Sequence, residues 1–171
     1  MQYGSKESLT EKGDAMEKTY QLLCQSPIGP LTLTATADAL TSLDFGDTRA
    51  FGDTPTPLLK QSAQELEEYF AGVRKTFTIP LAPTGTAFQK KVWSALLEIP
   101  YGRTATYGEI AAKIGKPGGA VAVGQANSRN PIPILIPCHR VIGADGKMVG
   151  YTGGMHIKEA LLGIEGVSCK K

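Results

Sequence analysis

The sequence predicts an α+β protein with two domains, an N-terminal α/β domain and a C-terminal domain that is mostly helical. In the first part, apolar residues alternate with polar ones around residues 20–45, as they do in half-buried strands. From Thr84 onward, apolar residues recur at helical spacing, and two Thr-x-x-Gln/Glu capping boxes mark helix starts. We therefore expect domains at 19–83 and 84–171. A flexible leader is expected at 1–18, which carries many charges and no clear period.

The N-terminal domain shows a strand, turn, strand pattern followed by one helix. Apolar residues alternate on both sides of Ser-Pro-Ile-Gly-Pro at 26–30, which predicts a hairpin, and residues 43–45 offer a third short strand. Pro57 opens a helix that Gly72 ends. The alternation then returns at Phe77, Ile79 and Leu81.

The C-terminal domain contains a candidate helix-turn-helix. One helix starts at the capping box of Thr86 and Gln89, and a second starts at the capping box of Thr106 and Glu109. A glycine-containing turn separates the second helix from a third at 119–128. This third helix is built almost wholly from Ala, Val, Gly, Gln and Asn, which suits either close approach to a partner or tight packing between helices.

Charge is distributed unevenly along the chain. The net charge is +2, but residues 1–85 hold 7 Lys and Arg against 11 Asp and Glu, while residues 86–171 hold 11 against 5, so the halves carry −4 and +6. A basic half favours a polyanionic partner such as nucleic acid. The sequence shows neither an apolar run long enough to span a membrane nor a signal peptide. We expect a cytoplasmic monomer, associated with the nucleoid if the protein is bacterial.

The cysteines indicate free thiols rather than a framework. Cys24, Cys138 and Cys169 are odd in number and widely spaced, which suits neither paired disulfides nor a zinc site of paired cysteines. Since the only histidines are His139 and His156, a four-ligand zinc site would need nearly every Cys and His of the chain to converge, so we expect no metal site.

The segment at 130–141, Asn-Pro-Ile-Pro-Ile-Leu-Ile-Pro-Cys-His-Arg-Val, is the most informative part of the chain. Its prolines keep it out of a helix interior and favour an extended backbone, and its Ile and Leu side chains bury it. We therefore expect a buried strand that delivers Cys138 to a fixed point, where the adjacent His139 helps the thiol to ionise. A lone cysteine can instead serve as a small apolar residue, but such a cysteine does not need a following His and Arg.

The run Ile-Pro-Cys-His-Arg-Val at 136–141 resembles the active-site signature of the O6-alkylguanine-DNA alkyltransferases. Further motifs of that family appear in order and spacing: Thr-Tyr-Gly-Glu-Ile-Ala at 106–111, Ala-Val-Gly at 122–124, Asn-Pro at 130–131, Gly-Tyr-Thr-Gly-Gly at 150–154, and Lys-Glu-Ala-Leu-Leu with Glu165-Gly at 158–166. The resemblance covers residues 86–168 closely and residues 17–85 only in outline. It implies a ribonuclease-H-like N-terminal domain and a winged-helix-like C-terminal domain.

The resemblance also implies an activity, which is the repair of O6-alkylguanine in double-stranded DNA. The alkyl group would pass to Cys138 once per molecule, without metal or cofactor. His139, bridged through a water to Glu165, would take the thiol proton. Tyr107 would donate a proton toward the leaving guanine oxygen, and Asn130 would tie the recognition helix to the active-site strand.

Two further sets of residues follow from the same resemblance. The damaged nucleotide would leave the stack while the small-residue helix enters the minor groove. The residues implied to contact DNA are Tyr107, Gly108, Val121, Ala122, Gln125 and Arg129. The residues implied to form the alkyl pocket are Pro133, Val141, Tyr151, Thr152 and Gly153. Most relatives have arginine where this chain has Val121, so we expect weaker duplex binding or base flipping here.

Three other functions are left open by the residues alone. A lesion-binding protein without transfer activity would have the signature cysteine replaced, whereas here Cys138 is present. A Cys-His hydrolase would need an oxyanion site and would typically have its histidine far away in sequence. A transcription factor that uses only the helix-turn-helix would leave the buried Cys-His-Arg without a purpose, although some relatives combine both roles.

Overall fold

A sheet and a helix form the first of the two units into which the chain divides, Met1–Pro83 and Thr84–Lys171. The structure is a computed structural model, and it describes residues 8–12 and 15–169. In this unit the elements are the strands β1 (Ser8–Lys12), β2 (Ala15–Cys24), β3 (Leu31–Ala35) and β4 (Leu40–Phe45) and the helix α1 (Pro57–Phe70). The strands pair antiparallel in the order β1-β2-β3-β4.

The predicted hairpin, third strand and helix of this unit are confirmed. The turn between β2 and β3 closes with a 3.0 Å hydrogen bond from Gly29 N to Ser26 O, and Gly29 has a φ of +103°, which favours glycine. The Thr56 hydroxyl caps the start of α1 by accepting from Leu59 N at 3.2 Å. Apolar residues of β3 and α1 are buried together with those of β4, and they form the core of this unit.

The flexible leader predicted at 1–18 is wrong where the structure describes it. Strand β1 pairs with the first half of β2, with Ser8 opposite Thr19 and Lys12 opposite Ala15, while residues 1–7 and 13–14 lie outside the described residues. Strand pairing joins backbone N–H and C=O groups, which a charged residue carries as well as an apolar one. A polar segment without an apolar period can therefore still form the edge of a sheet.

Helices dominate the second unit, and the predicted helix-turn-helix is present. The elements in chain order are α2 (Ala87–Leu96), β5 (Ala105–Thr106), α3 (Tyr107–Lys113), α4 (Ala120–Ser128), a 3₁₀ turn (Cys138–Arg140), β6 (Val141–Ile142) and α5 (Met155–Ile164). Strand β5 pairs parallel with β6. Both predicted capping boxes form: the Thr86 hydroxyl accepts from Gln89 N, and the Thr106 hydroxyl accepts from Glu109 N, each at 3.1 Å. Gly115, with a φ of +79°, ends α3 and begins the turn to α4.

Helix α4 has one buried face and one exposed face. Val123, Ala126 and Asn127 are buried, whereas Val121 is 78% exposed. The buried face of α4 is attached to α2, because Trp93 Nε1 donates a 2.9 Å hydrogen bond to Ala126 O. Among residues 8–12 and 15–169, no helix is long and apolar enough to cross a membrane.

We expect Trp93→Phe to lower the free energy of unfolding of the second unit by about 1 kcal/mol or more, because Ala126 O loses one of its two donors and keeps only Arg129 N, and the smaller ring leaves buried space unfilled. Urea denaturation followed by circular dichroism measures the change, since Trp93 is the only tryptophan and its fluorescence is lost with it. Leu97→Ala, at a half-exposed position just beyond α2, is the control and should cost less. Equal losses in both variants would contradict this assignment.

Candidate active site

Cys138 is presented by a buried turn, and the strand predicted for this segment is wrong. The backbone is irregular until Cys138 starts the 3₁₀ turn, and Ile134 has a φ of +75°, which is rare for a β-branched residue. Asn130 stabilises this conformation, because its Nδ2 donates to Ile136 O at 2.8 Å and its Oδ1 accepts from Ile132 N at 3.0 Å. Prolines exclude a helix interior but permit turns as readily as an extended backbone.

His139 and Glu165 are in direct contact, so the water predicted between them is wrong. The distance from His139 Nε2 to Glu165 Oε1 is 3.0 Å, and both side chains are fully buried. The sequence could not reveal this distance, since it depends on how the end of α5 packs against the 3₁₀ turn. The same carboxylate also accepts from Arg140, at 2.7 Å from Nη2 and 3.0 Å from Nε.

The protonation states of this pair follow from its surroundings. Burial by itself would raise the pKa of Glu165, but the hydrogen bonds from His139 and Arg140 outweigh it and lower the pKa to about 2. Burial lowers the pKa of His139, and the charges of Arg140 and Lys158 lower it further, against the opposing effect of Glu165. A neutral His139 beside an anionic Glu165 donates from Nε2. Its Nδ1, which has no hydrogen-bond partner in the described part of the chain, is then the basic atom.

The Cys138 thiol is buried, and only 4% of the residue is exposed. Burial raises the pKa of this thiol, while hydrogen bonds from the Asn130 and Tyr151 side chains and the charge of Lys158 act in the opposite direction. The resting thiol is therefore protonated, and groups that would stabilise its anion already surround it.

A cavity of about 680 Å³ adjoins the turn of Cys138: Asn127, which donates to Cys138 O, is among its lining residues, and Cys138 itself is not. Tyr107 and Tyr151 both line it. Tyr151 favours the ionised form of the Cys138 thiol, and burial together with the Cys138 charge raises the pKa of Tyr107, so both tyrosines lie near the sulfur. Val121 and Val149 are exposed apolar residues at the same cavity.

Only some of the predicted pocket and DNA-contact residues line the 680 Å³ cavity. Of the predicted pocket residues, Tyr151 and Thr152 line the 680 Å³ cavity, while Pro133, Val141 and Gly153 are not among its lining residues. Of the predicted DNA-contact residues, the cavity is lined by Tyr107, Val121 and Gln125. A second cavity, of about 520 Å³ between α4 and the start of α2, is lined by Ala122, Gln125 and Arg129. Gly108 is exposed in the first turn of α3.

Three residues of the site were missed by the sequence analysis. Asn127 of α4 donates from Nδ2 to Cys138 O at 3.3 Å, Arg140 binds Glu165, and Lys158 of α5 donates from Nζ to Val141 O at 2.6 Å and to Val149 O at 2.9 Å. The signal for Lys158 was available: Lys158 and Glu165 occupy positions i and i+7 on the apolar stripe of α5, which faces the core. The part of the chain that the structure describes contains no group of three or more Cys, His, Asp or Glu that could hold a metal ion.

The fold and the site define a two-domain protein in which a helix-turn-helix adjoins a buried Cys-His-Glu cluster. Residues 87–167 match the DNA-binding domain, and residues 19–83 the ribonuclease-like domain, of 6-O-methylguanine DNA methyltransferase. The chain belongs to this family, and the resemblance read from its motifs is confirmed.

Similar proteins cover nearly the whole chain. The methylated-DNA–protein-cysteine methyltransferase of Methanosarcina acetivorans is 49% identical over 156 residues, which are 88% of this chain and 99% of that protein. The crystal structure of Mycobacterium tuberculosis O6-methylguanine methyltransferase superposes with a TM-score of 0.78 at 48% identity, over 86% of this chain and 92% of that one. Mycobacterium tuberculosis OGT in complex with DNA gives a TM-score of 0.77 at 51% identity, over 84% of this chain and 90% of that one.

The titration of Lys158 should appear in the pH dependence of stability. Burial lowers the pKa of Lys158 from 10.5 to about 8. Between these values the unfolded chain binds a proton that the folded chain lacks, so the free energy of unfolding contributed by this group rises with pH. We expect the wild type minus Lys158→Met difference in unfolding free energy to increase from pH 8 to pH 10.5, by at most about 3 kcal/mol. Denaturant unfolding across this range measures it.

The control for this measurement is Lys147→Met, which removes an exposed lysine from the loop before α5. The comparison of the two variants separates the effect of the buried lysine from the general pH dependence of stability. A constant difference for Lys158→Met would contradict the assigned titration.

Proposed function

We propose that the protein repairs DNA by transferring a methyl or other alkyl group from O6-alkylguanine to Cys138, once per molecule. The observation that carries this proposal is a buried thiol that interacts electrostatically with Tyr107 and Tyr151, two residues that line the 680 Å³ cavity, and that directly precedes the His139–Glu165 pair. The names of the similar proteins support it. The protein would act wherever DNA is exposed to alkylation, in the cytoplasm or on the nucleoid of a bacterial cell.

The proposed chemistry is displacement at a saturated carbon. The thiol proton passes to Nδ1 of His139, and the resulting imidazolium is stabilised by Glu165. The Cys138 sulfur forms a bond to the alkyl carbon while the bond from that carbon to guanine O6 breaks and leaves its electrons on the oxygen. Tyr107 donates its hydroxyl proton toward this oxygen, because an anionic guanine is a poor leaving group. The product thioether is stable in water, which explains a single turnover.

Delivery of the base to the cavity is assigned to α3 and α4. The lesion lies within the duplex stack, so the nucleotide must be extruded, which costs a few kcal/mol. We propose that the exposed face of α4 enters the minor groove and that Val121 fills the space left in the stack. The residues assigned to DNA contact are Tyr107, Gly108, Val121, Ala122, Gln125 and Arg129. Tyr151 and Thr152, which line the 680 Å³ cavity, are assigned to the alkyl pocket, together with Pro133, Val141 and Gly153, which do not line it.

Transfer to Cys138 is tested by incubating the protein with duplex DNA that contains O6-methylguanine. Intact mass spectrometry should show the gain of one CH₂ unit, located on the peptide that contains Cys138, and no gain in Cys138→Ala. Cys24→Ala, in a strand of the first unit, is the matched control and should be methylated like the wild type.

Two outcomes would contradict the proposal. More than one equivalent of guanine restored per protein molecule would exclude the single-use thioether. Tight binding of the methylated duplex without any mass gain would instead identify a lesion-binding protein that lacks transfer activity.

The role of Val121 can be tested by adding charge at this position. We expect Val121→Arg to tighten binding to alkylated duplex several-fold, because a guanidinium attracts phosphates and stacks on bases. Fluorescence anisotropy with labelled duplex measures the affinity. Val73→Arg adds the same charge at an equally exposed valine of the first unit (76% against 78%) and should change affinity less. An equal effect of the two substitutions would reject a specific role for Val121.

A further inference from the structure

Arg140 and His139 compete for one carboxylate. Glu165 Oε1 lies 3.0 Å from His139 Nε2 and 2.7 Å from Arg140 Nη2, and Glu165 Oε2 lies 3.0 Å from Arg140 Nε. The side chains of His139 and Glu165 are fully buried, and that of Arg140 is 8% exposed. The carboxylate therefore gives its two-point contact to the guanidinium and only a shared oxygen to the imidazole.

Arg140 is held in this position from two further directions. Its Nη1 donates to Ile99 O at 2.7 Å, just beyond the end of α2. Its guanidinium carbon lies 5.8 Å from the centre of the Tyr101 ring, and the Tyr101 hydroxyl donates to Ile164 O at the end of α5. The guanidinium would lose these contacts if it left the carboxylate, so they hold it in place.

The charges at this site decide the resting state of His139. The charged groups that act on the imidazole are Glu165, Arg140 and Lys158. Cys138 precedes it on the same turn, and the Tyr101 ring packs against Arg140. Glu165 and Arg140 already form a neutral pair, so a proton on His139 gives the buried cluster a net positive charge. With Glu165 alone, the same proton would form a neutral pair and would be stabilised.

We propose that Arg140 is a positioning residue that keeps His139 neutral, and Cys138 a protonated thiol, until an alkylated base occupies the cavity. It does so by taking most of the carboxylate that would otherwise stabilise an imidazolium. A thiolate at rest would react with oxidants and stray electrophiles, and a protein that uses its cysteine once cannot replace a thiol lost in this way. In this respect the inference rests on the proposed function.

The resting state can be measured without DNA. The imidazole resonances of His139 in the wild-type protein, followed by NMR against pH and assigned by comparison with His156→Gln, should titrate below the ordinary value of 6.5. Titration at or above 6.5 in the wild type would overturn the proposal, whatever the fate of any variant.

Substitution of Arg140 tests the cause. In Arg140→Met, His139 should titrate at a higher pH than in the wild type, and the rate of Cys138 alkylation by iodoacetamide at neutral pH should rise about tenfold, the ratio that one pKa unit represents. Arg140→Lys keeps the positive charge but not the two-point contact, so its pH profile and its iodoacetamide rate should lie between those of the wild type and Arg140→Met. A purely structural role for Arg140 predicts loss of stability in both variants without a shift of the profile, and this result would also overturn the proposal.

Failure of this inference is distinguishable from failure of the proposed function. The iodoacetamide and NMR measurements report on the thiol and imidazole alone, whereas methyl transfer from O6-methylguanine duplex reports on the repair reaction. Wild-type protein that transfers the methyl group while Arg140→Met leaves the profile unchanged would reject only the role of Arg140. Protein that shows the shift but transfers no methyl group would reject only the repair activity.

Discussion

The buried carboxylate of Glu165 is the group on which the geometry of the site depends. A buried carboxylate is costly unless it is paired and hydrogen-bonded, and Glu165 meets this requirement with donors from two consecutive residues of the 3₁₀ turn. Through Arg140 the same contact extends to the end of α2. The end of α2, the 3₁₀ turn and the end of α5 therefore meet at this carboxylate. The contact also fixes the orientation of the His139 imidazole.

Helix α5 contributes to the site from both ends of a single face. Glu165 lies at its C-terminus, and Lys158, one stripe position before Leu161 and Leu162, donates to the carbonyls of Val141 and Val149. Two buried ionisable groups on the core-facing side of one helix disfavour burial of that helix unless both find partners. Glu165 binds the turn that follows Cys138, and Lys158 binds the carbonyl of Val149 in the loop that lines the cavity, so the packing of α5 and the position of this loop depend on each other.

The sequence predicted the local features of this protein better than its tertiary ones. Capping boxes, the hairpin at 26–30 and the helix-turn-helix are encoded by neighbouring residues, and the structure confirms them. The irregular approach to Cys138 is different, because a positive φ at Ile134 opposes the preference of a β-branched residue and is stabilised by the Asn130 side chain. Strand β1 likewise depends on pairing with β2, and the charged sequence of β1 contains no local signal for that pairing.

The same contrast between local and tertiary features applies to the site. The nucleophile, its neighbouring histidine and the glutamate could be named from their motif, whereas their distances could not. Nor did the motif indicate that Arg140 would share the carboxylate, although a charged residue beside a buried cysteine already required a partner. The sequence could not show which residue would be the partner of Arg140, because Glu165 lies 25 residues away and reaches the turn only through the packing of α5.

The small residues of α4 allow either close approach to a partner or tight packing between helices. In the structure each interpretation applies to one face of the helix. Its inner face packs: Ala126 O accepts from Trp93, and Asn127 donates to the carbonyl of Cys138. Its outer face presents Val121 and Gln125 at the cavity. A displacement of this helix on contact with DNA would therefore be transmitted to the backbone of the nucleophile through one side chain. Under the proposed function, only the thickness of this one helix would separate the bound DNA from Cys138, and the small side chains of α4 keep that distance short.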